Sequence, residues 1–127
     1  MKQVLLSVGL VLGLLVLEVA CDYGKSGGGT PTADSALMSP ASSAGRTDND
    51  EGVGHYKQGH WDVSEGHFRK AIKADANLAE AHYNLALTLD KTGKHEEATT
   101  EFKKAAELAP TNPAIKDSAI LKKHIAM

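Results

Sequence analysis

The stretch AEAHYNLALTLDKTGKHEEATTEFKKAAELAPTN, residues 79–112, decides the fold of this chain. Its positions correspond to earlier ones at a constant distance of 34 (93−59, 95−61, 102−68 and 105−71), which pairs Gly59, Trp61, Phe68 and Ala71 with Gly93, His95, Phe102 and Ala105. A fixed period of this size indicates stacked structural repeats. Within one period two amphipathic helical patterns meet at a glycine, so the unit is a helical hairpin that cannot bury its apolar face alone. Its function is expected to lie in a surface.

Small, aromatic and turn residues follow one another in this stretch in the order Leu85, Ala86, Gly93, Ala98, Phe102, Ala105 and Pro110. This order resembles the tetratricopeptide repeat family, in which a Leu-Gly/Ala pair, an inter-helix turn, small packing sites, an aromatic residue and a final proline take these places. The sequence departs from the family pattern at His82, where Trp is favoured, and at Leu89, where Tyr is favoured. The resemblance implies an all-α fold, a short array of helical hairpins.

The copy that precedes this repeat, at about residues 45–78, is degenerate. Its turn matches at Gly59, and Ser64 takes the small site, but Gly52 and Gly54 would each cost a helix about 1 kcal/mol relative to Ala. We therefore expect only a short first helix, at about residues 49–58. After the repeat 79–112, residues 113–126 have the apolar spacing of one capping helix. The predicted helical domain, residues 49–127, then holds about five helices and fewer than three full repeats, which is marginal for such an array.

The N-terminal residues 1–20 have the pattern of a secretory signal peptide. Lys2 gives a basic start, an apolar run covers residues 4–17, and Ala20 precedes Cys21, while the run is short for a membrane span. The position of Cys21 resembles a bacterial lipoprotein signal, in which that cysteine is lipidated. Glu18 departs from the pattern, because an apolar residue is expected there. A soluble secreted product and an uncleaved N-terminal anchor are the alternatives.

Residues 21–48 are rich in Gly, Ser, Thr, Ala and Pro. Such a segment buries too little apolar surface to offset the entropy of ordering it, so a flexible linker with a span of about 25 to 30 Å is expected. As the single cysteine, Cys21 cannot form an intramolecular disulfide. The predicted localisation is the bacterial cell envelope, with the domain anchored to a membrane through lipid on its periplasmic or outer face.

Composition and spacing argue against several classes of function. The formal net charge of −2 and the absence of a concentrated basic face argue against a nucleic-acid partner. The sequence has no phosphate-binding loop or nucleophile elbow, so neither an enzyme nor a cofactor is expected. Among the six histidines, His55, His60 and His67 are five and seven residues apart (60−55 and 67−60), which is not the offset that places two ligands on one helical face. We expect no metal site, and a histidine-based metal carrier is the less favoured alternative.

The family resemblance places partner binding on the first helix of each repeat. Carried over residue by residue, it implies a mixed polar and aromatic strip formed by Tyr56, Lys57, Glu80, Tyr83, Asn84, Leu87, Asp90 and Lys91. Tyr56 and Tyr83 are the expected anchors, because aromatic groups dominate such contacts. An equally weighted alternative is that Tyr83 packs on the next helix. A clamp for a C-terminal carboxylate at Asn84 is rejected, because the flanking positions Asn49, Val53, Ala114 and Ser118 carry no positive charge.

The predicted function is therefore non-catalytic binding of a protein, as a peptide or a helix, by an envelope lipoprotein. The alternative is a soluble periplasmic module that associates with itself.

Overall fold

In a computed structural model that describes residues 35–126, this part of the chain forms six α-helices and no strand. Their bounds are α1 Arg46–Lys57, α2 Trp61–Ala74, α3 Ala79–Lys91, α4 His95–Leu108, α5 Pro113–Lys116 and α6 Ala119–Ile125. The first hairpin is α1 with α2, and the second hairpin is α3 with α4. The predicted all-α fold class is confirmed.

The same turn closes both hairpins. Gly59 and Gly93 have φ angles of 76° and 80°, the left-handed region that favours glycine. Immediately after them, the N–H of His60 donates to the carbonyl of His55 at 3.0 Å, and the N–H of Lys94 donates to the carbonyl of Leu89 at 2.9 Å. These bonds satisfy carbonyls at the ends of α1 and α3. The 34-residue spacing of the two glycines therefore fixes where each first helix ends.

Helix α3 lies at the centre of the domain, and every residue from 81 to 89 is buried. It packs against α2 and α4, with Phe68 and Phe102 fully buried in the core. The positions predicted to be small are buried as well and let the helix backbones approach closely; they are Ser64, Ala71, Ala98 and Ala105. Helix α3 thus packs against both second helices and, over a smaller contact, against α1.

Helix α1 is longer than its glycines predict. It begins at Arg46 and not at residue 49, because packing outweighs helix propensity. A Cβ atom added at Gly52 would lie 2.6 Å from Cε1 of Phe68, so only glycine lets α1 pack this closely on α2. The hydroxyl of Ser64 donates to the Gly52 carbonyl at 3.0 Å across the same contact. The expected start of the first helix was therefore wrong.

The expected single capping helix at 113–126 is two short helices. The side chain of Asn112 accepts the N–H of Ala114 at 3.0 Å and begins α5, and the hydroxyl of Ser118 accepts the N–H of Leu121 at 3.3 Å and begins α6. Because Ser118 starts a new helix, α5 ends at Lys116. Helix α6 packs against α4 and buries Leu121.

Several sequence predictions fall on residues outside 35–126, namely the signal peptide at 1–20, lipidation of Cys21 and the first part of the linker. The rest of the predicted flexible linker differs from expectation, because residues 35–45 contact the helical domain. For example, Ser43 Oγ donates to Asp75 Oδ2 at 2.7 Å. Across residues 35–126, none of the helices combines the length and the apolar character that crossing a membrane requires.

Candidate functional site

The face formed by the first helices, α1 and α3, is largely covered by other parts of the chain. Of the predicted binding residues, Tyr56, Tyr83, Asn84 and Leu87 are buried, Glu80 and Asp90 are half-buried, and Lys57 and Lys91 are exposed. Residues 35–39, which we call the N-terminal segment, cover one part of this face. The α5–α6 region covers another part. The structure therefore brings the predicted strip together, but most of it faces the protein's own chain.

Two asparagine side chains hold the backbone of the N-terminal segment. The Oδ1 atom of Asn84 accepts the N–H of Leu37 at 2.7 Å, and Nδ2 of Asn84 donates to the Leu37 carbonyl at 2.7 Å. Nδ2 of Asn49 donates to the same carbonyl at 2.9 Å, and Asn84 also donates to Oδ1 of Asn49 at 2.8 Å. Both asparagines are fully buried. We call this pair the asparagine clamp; it pairs with the N–H and the C=O of one residue, much as a neighbouring β-strand would.

The side chains of the N-terminal segment differ in exposure. Ala36 and Leu37 pack against the hydrophobic core, whereas Met38 is 57% exposed. The N–H of Ser39 then donates to Oδ1 of Asp50 at 3.0 Å. The segment is therefore held on the domain through the side chains of Ala36 and Leu37 and through the backbone of Leu37 and Ser39.

The two predicted tyrosine anchors are core residues. The hydroxyl of Tyr83 donates to Ser118 Oγ at 2.9 Å, and its ring meets Phe102 edge-on with 5.7 Å between ring centroids. Tyr56 meets the ring of Trp61 in the same manner at 5.0 Å. The structure thus agrees with the alternative that Tyr83 packs on neighbouring helices. Tyr83 thus links α3 to α4 and to the start of α6, and Tyr56 packs within the first hairpin.

The six histidines fall into three groups. His55, His60 and His67 lie together on the first hairpin, where the turn at Gly59 brings Nδ1 of His60 to 3.5 Å from Nδ1 of His55. Offsets within one helix do not predict this proximity, because the two histidines lie on opposite sides of a turn. His82 lies alone on α3, and His95 and His124 meet beside Asp90.

Asp90, His95 and His124 form the group best arranged to hold a metal ion. The Oδ1 atom of Asp90 lies 2.9 Å from Nδ1 of His95 and 2.9 Å from Nε2 of His124. Burial raises the pKa of Asp90, but hydrogen bonds and charge attraction from the two histidines outweigh burial and lower it overall. The three ligand atoms lie within 4.8 Å of one another. Thr99 holds Nδ1 of His124 at 2.9 Å, so a neutral His124 with its proton there would direct the lone pair of Nε2 toward an ion.

His82 replaces the tryptophan of the family pattern with an ionic contact. Its Nδ1 donates to Oε2 of Glu101 at 2.6 Å, and its Nε2 donates to the carbonyl of Ala76 at 3.0 Å. Burial lowers the pKa of His82, but these two bonds and the attraction of Glu101 outweigh both burial and the repulsion from Lys104, so the pKa is raised. His82 thus links α3, α4 and the loop before α3.

Sequence reasoning missed the role of Leu37 and the meeting of Asp90 with His124. Leu37 was assigned to the linker, although a large apolar residue in a stretch of Gly, Ser, Ala and Pro is itself a signal of a contact. Asp90 and His124 are 34 residues apart (124−90), but His124 lies on α6, which follows a break in the repeat pattern and packs against α4, so the spacing does not predict their contact.

Two comparisons with known proteins bear on this arrangement. A family model described as tetratricopeptide repeat matches residues 49–113, which cover the two hairpins apart from the start of α1. Anaphase-promoting complex subunit 3 of Schizosaccharomyces pombe is 32% identical over 65 residues. The aligned region covers 51% of this chain and 10% of that protein, so the chain spans only about a tenth of that relative's length.

Proposed function

The chain belongs to the tetratricopeptide repeat family, and on that premise we propose that its helical domain is a non-catalytic module that binds another protein. Repeats of this family generally mediate protein–protein interaction. We further propose that a lipid on Cys21 holds the module at the bacterial cell envelope. The activity and partners of that relative do not carry over, because the match covers only 10% of it.

One observation carries the binding proposal. The face of α1 and α3 already holds an extended backbone through the asparagine clamp, with a hydrogen bond to each polar group of Leu37. Such hydrogen bonds bind the backbone of a peptide whatever its sequence, and contacts to the side chains of the peptide then supply specificity. Extended peptides are recognised in this way. The exposed Lys57 and Lys91 lie at the ends of these two helices and border the face.

Site-specific photocrosslinking in cells tests where a partner binds. Lys91→p-benzoylphenylalanine places the probe at the end of α3, and Lys70→p-benzoylphenylalanine places it on an exposed position of α2 as a matched control. We expect a discrete crosslinked protein from position 91 and none from position 70. An adduct of twice the chain's mass would support the self-associating alternative. Equal labelling from both positions would overturn a binding face on the first helices.

The intact mass of the protein purified from membranes tests the tether. A chain that begins at Cys21 and carries a diacylglyceryl group, lost in Cys21→Ala, is the expected result. An unmodified chain that begins after residue 20 would indicate a soluble product, and a chain that retains Met1 would indicate an N-terminal anchor. Either of these two results would contradict lipidation.

A second candidate function is metal binding, favoured by the group of Asp90, His95 and His124. Two imidazoles with one carboxylate suit a first-row transition ion such as Zn²⁺ or Co²⁺. The observed 2.9 Å separations are somewhat shorter than the roughly 3.4 Å between adjacent ligands of a tetrahedral ion with bonds of about 2.1 Å. An ion could therefore enter with small side-chain rotations.

Cobalt titration of the purified protein tests this candidate. His95→Ala removes an exposed ligand without opening the core, and His60→Ala removes an exposed histidine that is no part of the group. If the site binds metal, visible Co²⁺ absorption and a rise in Tm should be lost in His95→Ala and kept in His60→Ala. Binding that is unaffected by His95→Ala would exclude this site.

A further inference from the structure

The asparagine clamp is polar at the centre of an apolar face. Val53, Tyr83 and Leu87 are buried around it, and the N-terminal segment supplies the backbone N–H and C=O that satisfy its amides. Buried amide groups are costly when unpaired. A face intended only for packing would be served as well by apolar side chains, whereas two amides aimed at one backbone residue are suited to holding an extended chain.

The way in which the N-terminal segment lies on the domain defines the ligand. Its hydrogen bonds to the clamp use only backbone atoms of Leu37, and the side chain of that residue packs on the core. Met38 is exposed and the N–H of Ser39 is bound by Asp50. A fitting peptide therefore has an aliphatic residue at the clamp, any residue next, and a free N–H at the third position, so proline is excluded at the first and third of these positions.

Resting on the proposed function, we infer that the partner is an extended peptide with a leucine at the clamp, and that residues 36–39 are a built-in copy of that ligand which the partner must displace. Only 12 residues separate Leu37 from Asn49 (49−37), so the segment binds at a high effective concentration. Asp50 beside the clamp is paired with Arg46 at 3.4 Å, and the hydrogen bonds of the clamp to Leu37 involve no charged group, so the site favours a neutral peptide over a charged one.

Occupancy of the clamp sets the affinity that a partner experiences. If the N-terminal segment fills the clamp for about nine-tenths of the time or more, a competing peptide binds about tenfold more weakly than its intrinsic affinity, or weaker still. Releasing the segment should raise the apparent affinity for the peptide by the same factor. The bound segment therefore occupies the face until a competing ligand is abundant or tethered nearby.

Fluorescence anisotropy with the labelled peptide ADSALMSPAS, the sequence of residues 33–42, tests the inference on the full chain. Leu37→Pro removes the N–H that Asn84 binds and should raise affinity for the peptide at least tenfold. Met38→Ala, in the same segment but exposed, is the matched control and should leave affinity at the original value. Adding Asn84→Leu to Leu37→Pro should abolish binding, as should a peptide with proline in place of its leucine.

A folded Leu37→Pro protein that gains no affinity would overturn the inference. Should that variant fail to fold, the original chain gives the answer by NMR. Excess unlabelled peptide should move the Leu37 amide and the Asn84 side-chain amide resonances together, and unmoved resonances at millimolar peptide would equally overturn it. Photocrosslinking at position 91 distinguishes failure of this inference from failure of the proposed function. If a partner is captured but the peptide does not bind, the proposal of a binding module stands and only the proposal of a built-in ligand is overturned.

Discussion

The two hairpins carry an acid and a histidine at the same pair of positions, but in opposite order. Asp48 on α1 faces His67 on α2, and His82 on α3 faces Glu101 on α4, each 34 residues later (82−48 and 101−67). Nδ1 of His82 lies 2.6 Å from its carboxylate, whereas Nδ1 of His67 lies 3.5 Å from Asp48 and 3.4 Å from Glu51 and makes no hydrogen bond within residues 35–126. The repeat thus preserves where the two helices touch, and the side chains at that contact can exchange roles.

A second equivalent pair differs in chemistry. Tyr56 and Trp61 form an aromatic contact beside the first turn, and the positions 34 residues later hold Asp90 and His95. The second hairpin has α6 packed against α4, and α6 supplies His124 to the Asp90 group. The same backbone geometry therefore accommodates an aromatic pair or an ionisable pair beside the turn, depending on which element packs against it.

The largest effect should come from the two phenylalanines at equivalent positions. Phe68→Ala and Phe102→Ala are each expected to lower the free energy of unfolding by about 3 to 5 kcal/mol, since both side chains are fully buried. The loss should be greater for Phe102, whose ring also contacts Tyr83 and His124 at 5.7 and 5.0 Å. Urea unfolding followed by circular dichroism measures both, with exposed Val63→Ala as control. A greater loss at Phe68 would make the first hairpin the main source of stability.

The first hairpin has Gly52 where the second hairpin has Ala86 at the equivalent position (86−52 = 34). The variant Gly52→Ala tests why glycine is needed in the first hairpin. The added methyl would meet the Phe68 ring at 2.6 Å, so overpacking should cost about 1 to 3 kcal/mol despite the better helix propensity of Ala. Thermal unfolding is the measurement. A raised Tm would show that α1 can shift away from α2 at no cost.

The His82–Glu101 contact should make stability depend on pH. The pKa of His82 is raised on folding, so its contribution is fully present below its unfolded pKa of about 6.5 and is lost as pH rises through the higher folded value. Glu101→Gln should cost about 1 to 2 kcal/mol at pH 5.5 and much less at pH 9. Unfolding of both proteins across this range isolates the contribution. An equal cost at both pH values would assign Glu101 a role other than pairing with a protonated His82.

Gly54→Ala should give the smallest effect, with the opposite sign to Gly52→Ala. An added Cβ atom at Gly54 meets nothing within 4 Å, so the better helix propensity of Ala should stabilise the domain by about 0.5 to 1 kcal/mol. Differential scanning calorimetry of the two glycine variants, side by side, tests the contrast. If Gly54→Ala also destabilises, close packing does not distinguish these two positions.

The period and the turn glycines determined the fold class and the ends of the first helices, because both follow from local geometry. A left-handed residue at Gly59 and Gly93 ends a helix whatever surrounds it, and buried aromatic and small residues recur because each hairpin packs on the next. The start of α1 was missed because helix propensity is weak, and a single close contact between Gly52 and Phe68 overrode it.

Only the tertiary structure decided what covers the first-helix face. Asn84 and Tyr83 lie on α3, the first helix of the second repeat, but whether a residue on a helical face is available to a partner depends on segments that are distant in the sequence. Leu37 is 47 residues from Asn84, and Ser118 is 35 residues from Tyr83. The repeat pattern describes neighbours along the array, and neither the N-terminal segment nor the break before α6 belongs to that pattern. Long-range hydrogen bonds of this kind have no local signature, so they can be recognised only in the folded chain.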